Sequence, residues 1–335
     1  MHFPARLTLG AAGLSACLLL QGCDKPAPPA TSPQQTVATE PRTTALSAVD
    51  REQLATFQET ATAIPQSLVA CTAELQTSLM QFLKQVDADH LQTLRAQWAQ
   101  CHDIYLAAST LQGYTPAQQA ALKQAHAQLG NPLAMPGFID SVEGYPFSGI
   151  VNDASLQLGE EELRQQHGLT DEADVSIGFN VVGFLLWGEH IDNSERVARP
   201  FTDFATVEHW EDSSEDLPIK DHPHNRRRDM LQLTIELLSA DSQNLLNAWV
   251  EGALPATQEQ AKSWEMSQLH AFNDALQQWP DNKALPGYLQ RWLEKDALPA
   301  IPANLTTTTA DPASPATPLR AQLKNKLNTV PTMPD

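Results

Sequence analysis

Three clusters in this chain hold residue types that can do chemistry. The first is GFNVVGFLLWGEH at residues 178–190, an apolar run in which Asn180 and Gly183 lie three apart and so share one helix face. Glu189 and His190 follow just past Trp187 and Gly188. A helix continued that far places His190 about two turns beyond Gly183, where a carboxylate and an imidazole can hold a metal ion. A helix that stops at Gly188 leaves both on the surface. The second cluster is Asp221-His222-Pro223-His224, with His209 and several carboxylates upstream, another possible donor set for a metal. Pro223 points the two imidazoles apart in an extended chain, and a solvated loop is the plainer reading. The third is Arg226-Arg227-Arg228 at the start of a helix, where cations oppose the macrodipole. These guanidinium groups must answer nearby carboxylates, with Asp140 and Asp203 the natural candidates. A structural ion-pair network accounts for them first, and capture of an anionic ligand second.

Other catalytic signatures are missing. The chain has no H-E-x-x-H, no G-x-S-x-G and no phosphate-cradling glycine loop. Cys71 and Cys101 lack C-x-x-C spacing, which leaves redox catalysis unsupported. In an oxidising compartment they form a single pair, and a disulfide between them would contribute roughly 3–4 kcal/mol through loop closure. Two buried free thiols are the alternative.

The elements that must position these residues read as helices. Leu91, Leu94, Trp98, Cys101, Tyr105 and Ala108 follow alternating steps of three and four. Leu54, Phe57, Ala61, Ile64, Leu68, Leu75, Leu79, Phe82 and Val86 continue a similar stripe, which Pro65 should kink or interrupt. Asp87 or Asp89 can cap the second of these helices, and an antiparallel pair brings Cys71 and Cys101 to similar heights. Thr115-Pro116-Ala117-Gln118 is a helix start with an amide returning to the cap, and Gly130-Asn131-Pro132 closes that helix. Thr257 with Gln260 repeats the capping signal, and a further helix follows Asn225. No segment alternates with period two, so a sheet is not expected. The irregular stretches 131–155 and 191–224 are long enough to shape a site.

The chain ends point to the bacterial envelope. Arg6 precedes the apolar run Leu7 to Leu20, which has signal-peptide length and is short for a membrane span. The run closes on LLQGC, which resembles the lipobox of bacterial lipoproteins, with Cys23 as the lipidated residue. A plain secretory signal with an incidental cysteine is the alternative. Residues 1–22 are thus read as signal peptide, 23–45 as lipidated cysteine and flexible tether, 46–298 as the folded region, and 299–335 as a disordered tail. Asp24 leaves inner and outer membrane both open. The net charge is −19, and removal of Arg6 with the signal makes it −20, so nucleic acid is not expected as a partner.

Together, GFNVVGFLLWGEH, ARPFTDF at 198–204 and NRRRDMLQLTIELL at 225–238 resemble the imelysin-like family of bacterial envelope proteins. Members show G-x-H-x-x-E running into FLLWG, then R-P-x-x-D and R-R-x-x-L. The resemblance implies an all-α fold of two helical bundles from an internal duplication, about 46–165 and 170–298, with long loops at their junction. It also implies a pocket there holding Gly178, Asn180, Gly183, Trp187, Arg199 and Asp203. The family is linked to peptidase activity and to iron. This chain departs from it at the decisive positions, because the histidine falls on Asn180 and the glutamate on Gly183. A neutral amide is a poor ligand for borderline metals and glycine has no side chain, so catalysis at that pair is not expected. Asn180 is expected to be a satisfied amide holding loop carbonyls or Arg199, and Gly183 to permit close backbone approach. The expected role is a lipid-anchored, periplasm-facing binding or accessory protein in iron or nutrient uptake, its partner a small ligand or another envelope protein. The alternatives are a metal-dependent peptidase using Glu189, His190, His222 and His224 instead, or a purely structural envelope protein. A metal ion is the one cofactor these residues suggest.

Overall fold

A computed structural model describes residues 44–131, 134–188, 198–209 and 218–278. The Leu54–Phe82 stripe closes into α1, Ala48–Lys84, capped by Ser47, whose Oγ accepts from Asp50 N at 3.1 Å. Of the two outcomes expected at Pro65, a kink or an interruption, the interruption does not occur: α1 continues through it. That residue is buried in the core, and packing along the length of α1 outweighs the one lost backbone bond. α2, Ala88–Ala108, is capped by Asp87, which accepts from His90 N at 2.9 Å. α1 and α2 pack along each other, and the Cys71–Cys101 disulfide joins them with Cα atoms 5.5 Å apart.

α3 spans Pro116–Leu129 and is capped by Thr115, which accepts from Gln118 N at 3.2 Å. The Gln118 amide does not return to the cap, as the sequence suggests. It accepts from Tyr114 N at 2.7 Å and donates to Trp249 O at 2.8 Å, because a partner on a distant helix end is in reach. The short helices α4, Pro136–Ile139, and α5, Glu160–Gln166, punctuate the irregular stretch before α6, Phe179–Trp187. α7 spans Pro223–Val250 and α8 Gln258–Gln278, the latter started by a capping box in which Thr257 and Gln260 exchange bonds. These are eight α-helices and no strand among the described residues; Ala45 with Thr257 and Val142 with Tyr145 make isolated bridges. The fold class is all-α.

One hydrophobic core runs from α1 to α8. α7 lies against α1, α3 and α6, so residues on both sides of 165–170 share that core. Trp249, Trp264, Phe57, Phe82, Phe179 and Phe204 are its largest fully buried side chains. Their polar tips are answered: Trp264 Nε1 donates to Gln112 O at 2.8 Å and Trp249 Nε1 to Thr62 Oγ1 at 3.1 Å. No helix among the described residues is long and apolar enough to cross a membrane. Cys23, the tether up to residue 43 and the tail lie outside the described residues, whereas Thr44 and Ala45, at the tether's end, already pair with the start of α8.

Candidate functional site

α6 is nine residues long and nearly all inside: Phe179, Val181, Val182, Gly183, Phe184, Leu185 and Leu186 are buried. Its start is fixed by Gly178 at φ +99°, where a Cβ would stand 2.8 Å from Leu129 O and 3.1 Å from Gln128 O. Only glycine lets α6 begin against the last turn of α3. Asn180 is the half-buried exception in this helix. It was expected to hold loop carbonyls or Arg199, but it makes no side-chain hydrogen bond among the described residues. The physical reason is placement. Asn180 sits in the first turn, beside α3, while Arg199 docks at the opposite end of α6.

An aromatic group surrounds that first turn. Trp98 Nε1 donates to Phe179 O at 3.1 Å, and Tyr105 stacks on Phe179 with centroids 5.1 Å apart. His126 lies 6.0 Å from Tyr105, and both its ring nitrogens are buried without a partner. Burial pushes its pKa down to about 4, so the ring is neutral at pH 7.

The other end of α6 is polar. Arg95 donates to Leu186 O at 2.6 Å and to Arg199 O at 2.6 Å, and its guanidinium lies 5.4 Å over the Trp187 ring. Arg199 N donates to Trp187 O at 3.0 Å, which docks the returning chain on the helix end. The Arg199 side chain then reaches Asp140 at 3.0 Å and Asp203 at 3.5 Å. Arg227 grips the same Asp140 with two bonds, at 2.6 and 3.1 Å, and donates to Asp203 O at 3.0 Å. Asp140 is fully buried and also accepts from Ser141 N at 2.7 Å and Asn152 Nδ2 at 3.2 Å. Gly149, at φ +85°, lets the loop fold back beneath it, since a Cβ there would overlap the Asp140 and Ile139 backbone. Burial alone would raise the Asp140 carboxyl. The Arg227 hydrogen bond and the charges of Arg199 and Arg227 prevail and hold it below the usual carboxylate range.

The other two arginines of the triplet have backbone partners. Arg226 donates to Val151 O, Ile150 O and Leu156 O at 2.9 to 3.0 Å, and Arg228 to Phe204 O at 2.8 Å and Leu83 O at 3.1 Å. The triplet thus staples the 150–156 and 201–204 turns to α7; of the suspected carboxylates, Asp140 pairs with Arg227, while most of the other bonds go to backbone carbonyls in place of the expected ion pairs. Arg95 is the member sequence reasoning missed. It flanks the apolar stripe of Leu91, Leu94 and Trp98, and nothing in its spacing distinguishes it from a solvated charge.

His222 and His224 are closer than expected. Pro223 is the first residue of α7 and His222 its cap, so the chain turns there and is not extended. The rings meet edge to face with centroids 5.0 Å apart, and His222 Nδ1 accepts from His224 N at 3.2 Å. Burial, then the Arg227 charge, lowers both imidazoles, and His224 Nδ1 is buried without a partner. Asp221 faces Arg226 at 3.6 Å and His209 is exposed. No group of three or more His, Cys, Asp or Glu able to hold a metal gathers among the described residues. Glu189 and His190 lie outside them.

Of the six residues expected to line one pocket, Arg199 therefore meets Asp140 and Asp203, Trp187 touches Arg199 through its carbonyl while its ring lies 5.0 Å from Trp98, Gly178 and Asn180 stand at the opposite end of α6, and Gly183 is buried between. The Asp140 end can hold charge and fix loops. At the other end, the Asn180 amide makes no hydrogen bond among the described residues, and its neighbour Phe179 carries the aromatic contacts. Residues 60–263, from α1 into α8, match the peptidase family model described as Imelysin. No curated protein matches the chain.

Proposed function

We propose that this chain, which belongs to the imelysin family, is a lipid-anchored, periplasm-facing binding or accessory protein that serves nutrient uptake, iron included, and does not hydrolyse peptides. The observation that carries this reading is the pair of residues at the positions where the family resemblance places histidine and glutamate. Asn180 is a half-buried neutral amide without a side-chain hydrogen-bond partner among the described residues, and Gly183 is a bare backbone position inside α6. Neither can move a proton or hold a borderline metal. The surrounding frame is intact. Gly178 seats α6, and the Asp140–Arg199–Arg227 cluster locks the loops at its far end. A frame kept rigid around an inert pair suits recognition better than turnover. Attachment to the envelope rests on the LLQGC sequence ending at Cys23.

A second reading, a peptidase with relocated ligands, draws on the contact between His222 and His224 and on the unpartnered His224 Nδ1. It needs a third ligand, the role Glu189 or His190 would fill. Peptide hydrolysis by the purified chain, with and without a chelator, separates the two. The binding reading expects no cutting in either condition. Chelator-sensitive cutting abolished by Asn180→Ala overturns it, and cutting abolished by His224→Ala selects the second.

A further inference from the structure

A cavity lined by neither Asn180 nor Gly183 lies in the angle between the end of α2, the 109–114 connection, α3 and α8. It is a pocket open to solvent on one side, with a volume of about 440 Å³, within the size range of small-molecule sites. Gln119, Leu122, Lys123 and His126 line it from one face of α3, at the i, i+3, i+4, i+7 spacing. Gln112 and Ser267 line it from the facing elements.

The polar groups there are unevenly satisfied. Ser109 and Ser267 have committed their hydroxyl protons, to Leu106 O at 2.8 Å and Ser263 O at 3.0 Å, so both oxygens can only accept. Gln119 Nε2 donates to Gly113 O at 3.1 Å, which leaves its own oxygen as an acceptor. The side chains of Lys123 and Gln112 have no hydrogen bond or ion pair among the described residues. No lining residue is acidic, in a chain whose net charge is −19. The wall thus offers one cation and one amide without protein partners among the described residues, and a set of oxygens able to accept from a ligand.

From this lining we propose that the cavity binds a small hydroxycarboxylate. Its carboxylate sits on the Lys123 ammonium and its hydroxyl groups donate to Ser109 Oγ and Ser267 Oγ. Other small ligands fit less well. A free amino acid brings an ammonium for which the lining has no anion, and a plain aliphatic acid strips water from the serine oxygens and gives nothing back. A neutral polyol leaves Lys123 unanswered. The inference stands on this lining alone, independently of Asn180 and Gly183.

Calorimetric titration of the full chain tests it with three probes of matched length: D-gluconate, hexanoate and sorbitol. Gluconate is expected to bind saturably at one site, with hexanoate and sorbitol each about tenfold weaker or more. Lys123 is exposed, so Lys123→Met should leave the melting curve unchanged while weakening gluconate about tenfold; Ser267→Ala should weaken gluconate and leave hexanoate alone. No saturable gluconate binding, equal binding of gluconate and sorbitol, equal binding of gluconate and hexanoate, or an unchanged affinity in Lys123→Met overturns the assignment.

Discussion

Replacing Asp140 by alanine should be among the most damaging single changes in this protein. The Asp140 carboxylate is fully buried between two guanidinium groups whose side chains are only 7 % and 5 % exposed. Without it, Arg227 keeps one carbonyl partner, Asp203 O, and Arg199 keeps only the longer contact to Asp203. Leaving a buried charge uncompensated costs about 3–5 kcal/mol. In a domain of this size that lowers the melting temperature by roughly 10 °C. Asp203→Ala is the internal control, because its carboxylate is 32 % exposed and 3.5 Å from Arg199, so its loss should cost under about 1 kcal/mol. The double substitution Asp140→Ala with Arg227→Leu should cost less than the sum of the single ones, since it removes a stranded cation together with its anion. The pH dependence has a definite sign. The folded carboxyl is held below its ordinary value of 3.8, so its stabilisation is present above that pH and is lost as pH falls through the lower folded value. The wild type should therefore approach Asp140→Asn only in strong acid. Urea unfolding at pH 7 measures the substitutions, and the same titration repeated down to strong acid measures the pH dependence. A loss below about 1 kcal/mol for Asp140→Ala would refute the cluster as the lock on the loops.

Three further outcomes follow from other parts of the fold. His126 is neutral when folded, with a pKa pushed from 6.5 to about 4, so the unfolded chain binds the extra proton between those values. Stability should fall by about 3 kcal/mol as pH drops from 6.5 to 4 on this account, and His126→Leu should flatten that dependence in urea titrations. Gly178→Ala forces a side chain into the end of α3 at a positive φ, and should lower unfolding free energy by about 2–3 kcal/mol while Gly144→Ala, with open space around it, costs less. Reducing the Cys71–Cys101 disulfide should lower the urea midpoint by an amount worth roughly 3–4 kcal/mol, read by comparing oxidised and reduced protein at equal pH.

The helices were legible because their signals are local. The steps of three and four in α1 and α2, the Asp87 and Thr115 caps, and the Thr257–Gln260 box all act within a few residues. Where a local rule met a long-range partner, the partner prevailed. Pro65 does not break α1 because the core holds the helix on either side, and Gln118 leaves its cap for Trp249 O. The same limit governed the site. Asp140 could be named as an answer to the arginine triplet from charge alone, and Arg227 does grip it. Arg199 as the second clamp, and Arg95 bridging Leu186 and Arg199, depend on a chain crossing that no spacing encodes. His222 and His224 meet because Pro223 starts a helix, a choice between two readings of one proline that only the neighbouring turns decide.

The claim at the centre of this account is that the position of Asn180 no longer holds an ion. Elemental analysis of the full chain, isolated from its native envelope without metal-affinity steps, tests it most directly. The account predicts no stoichiometric transition metal, and no difference between wild type and Asn180→Ala. One equivalent of bound metal that disappears in Asn180→Ala would contradict it.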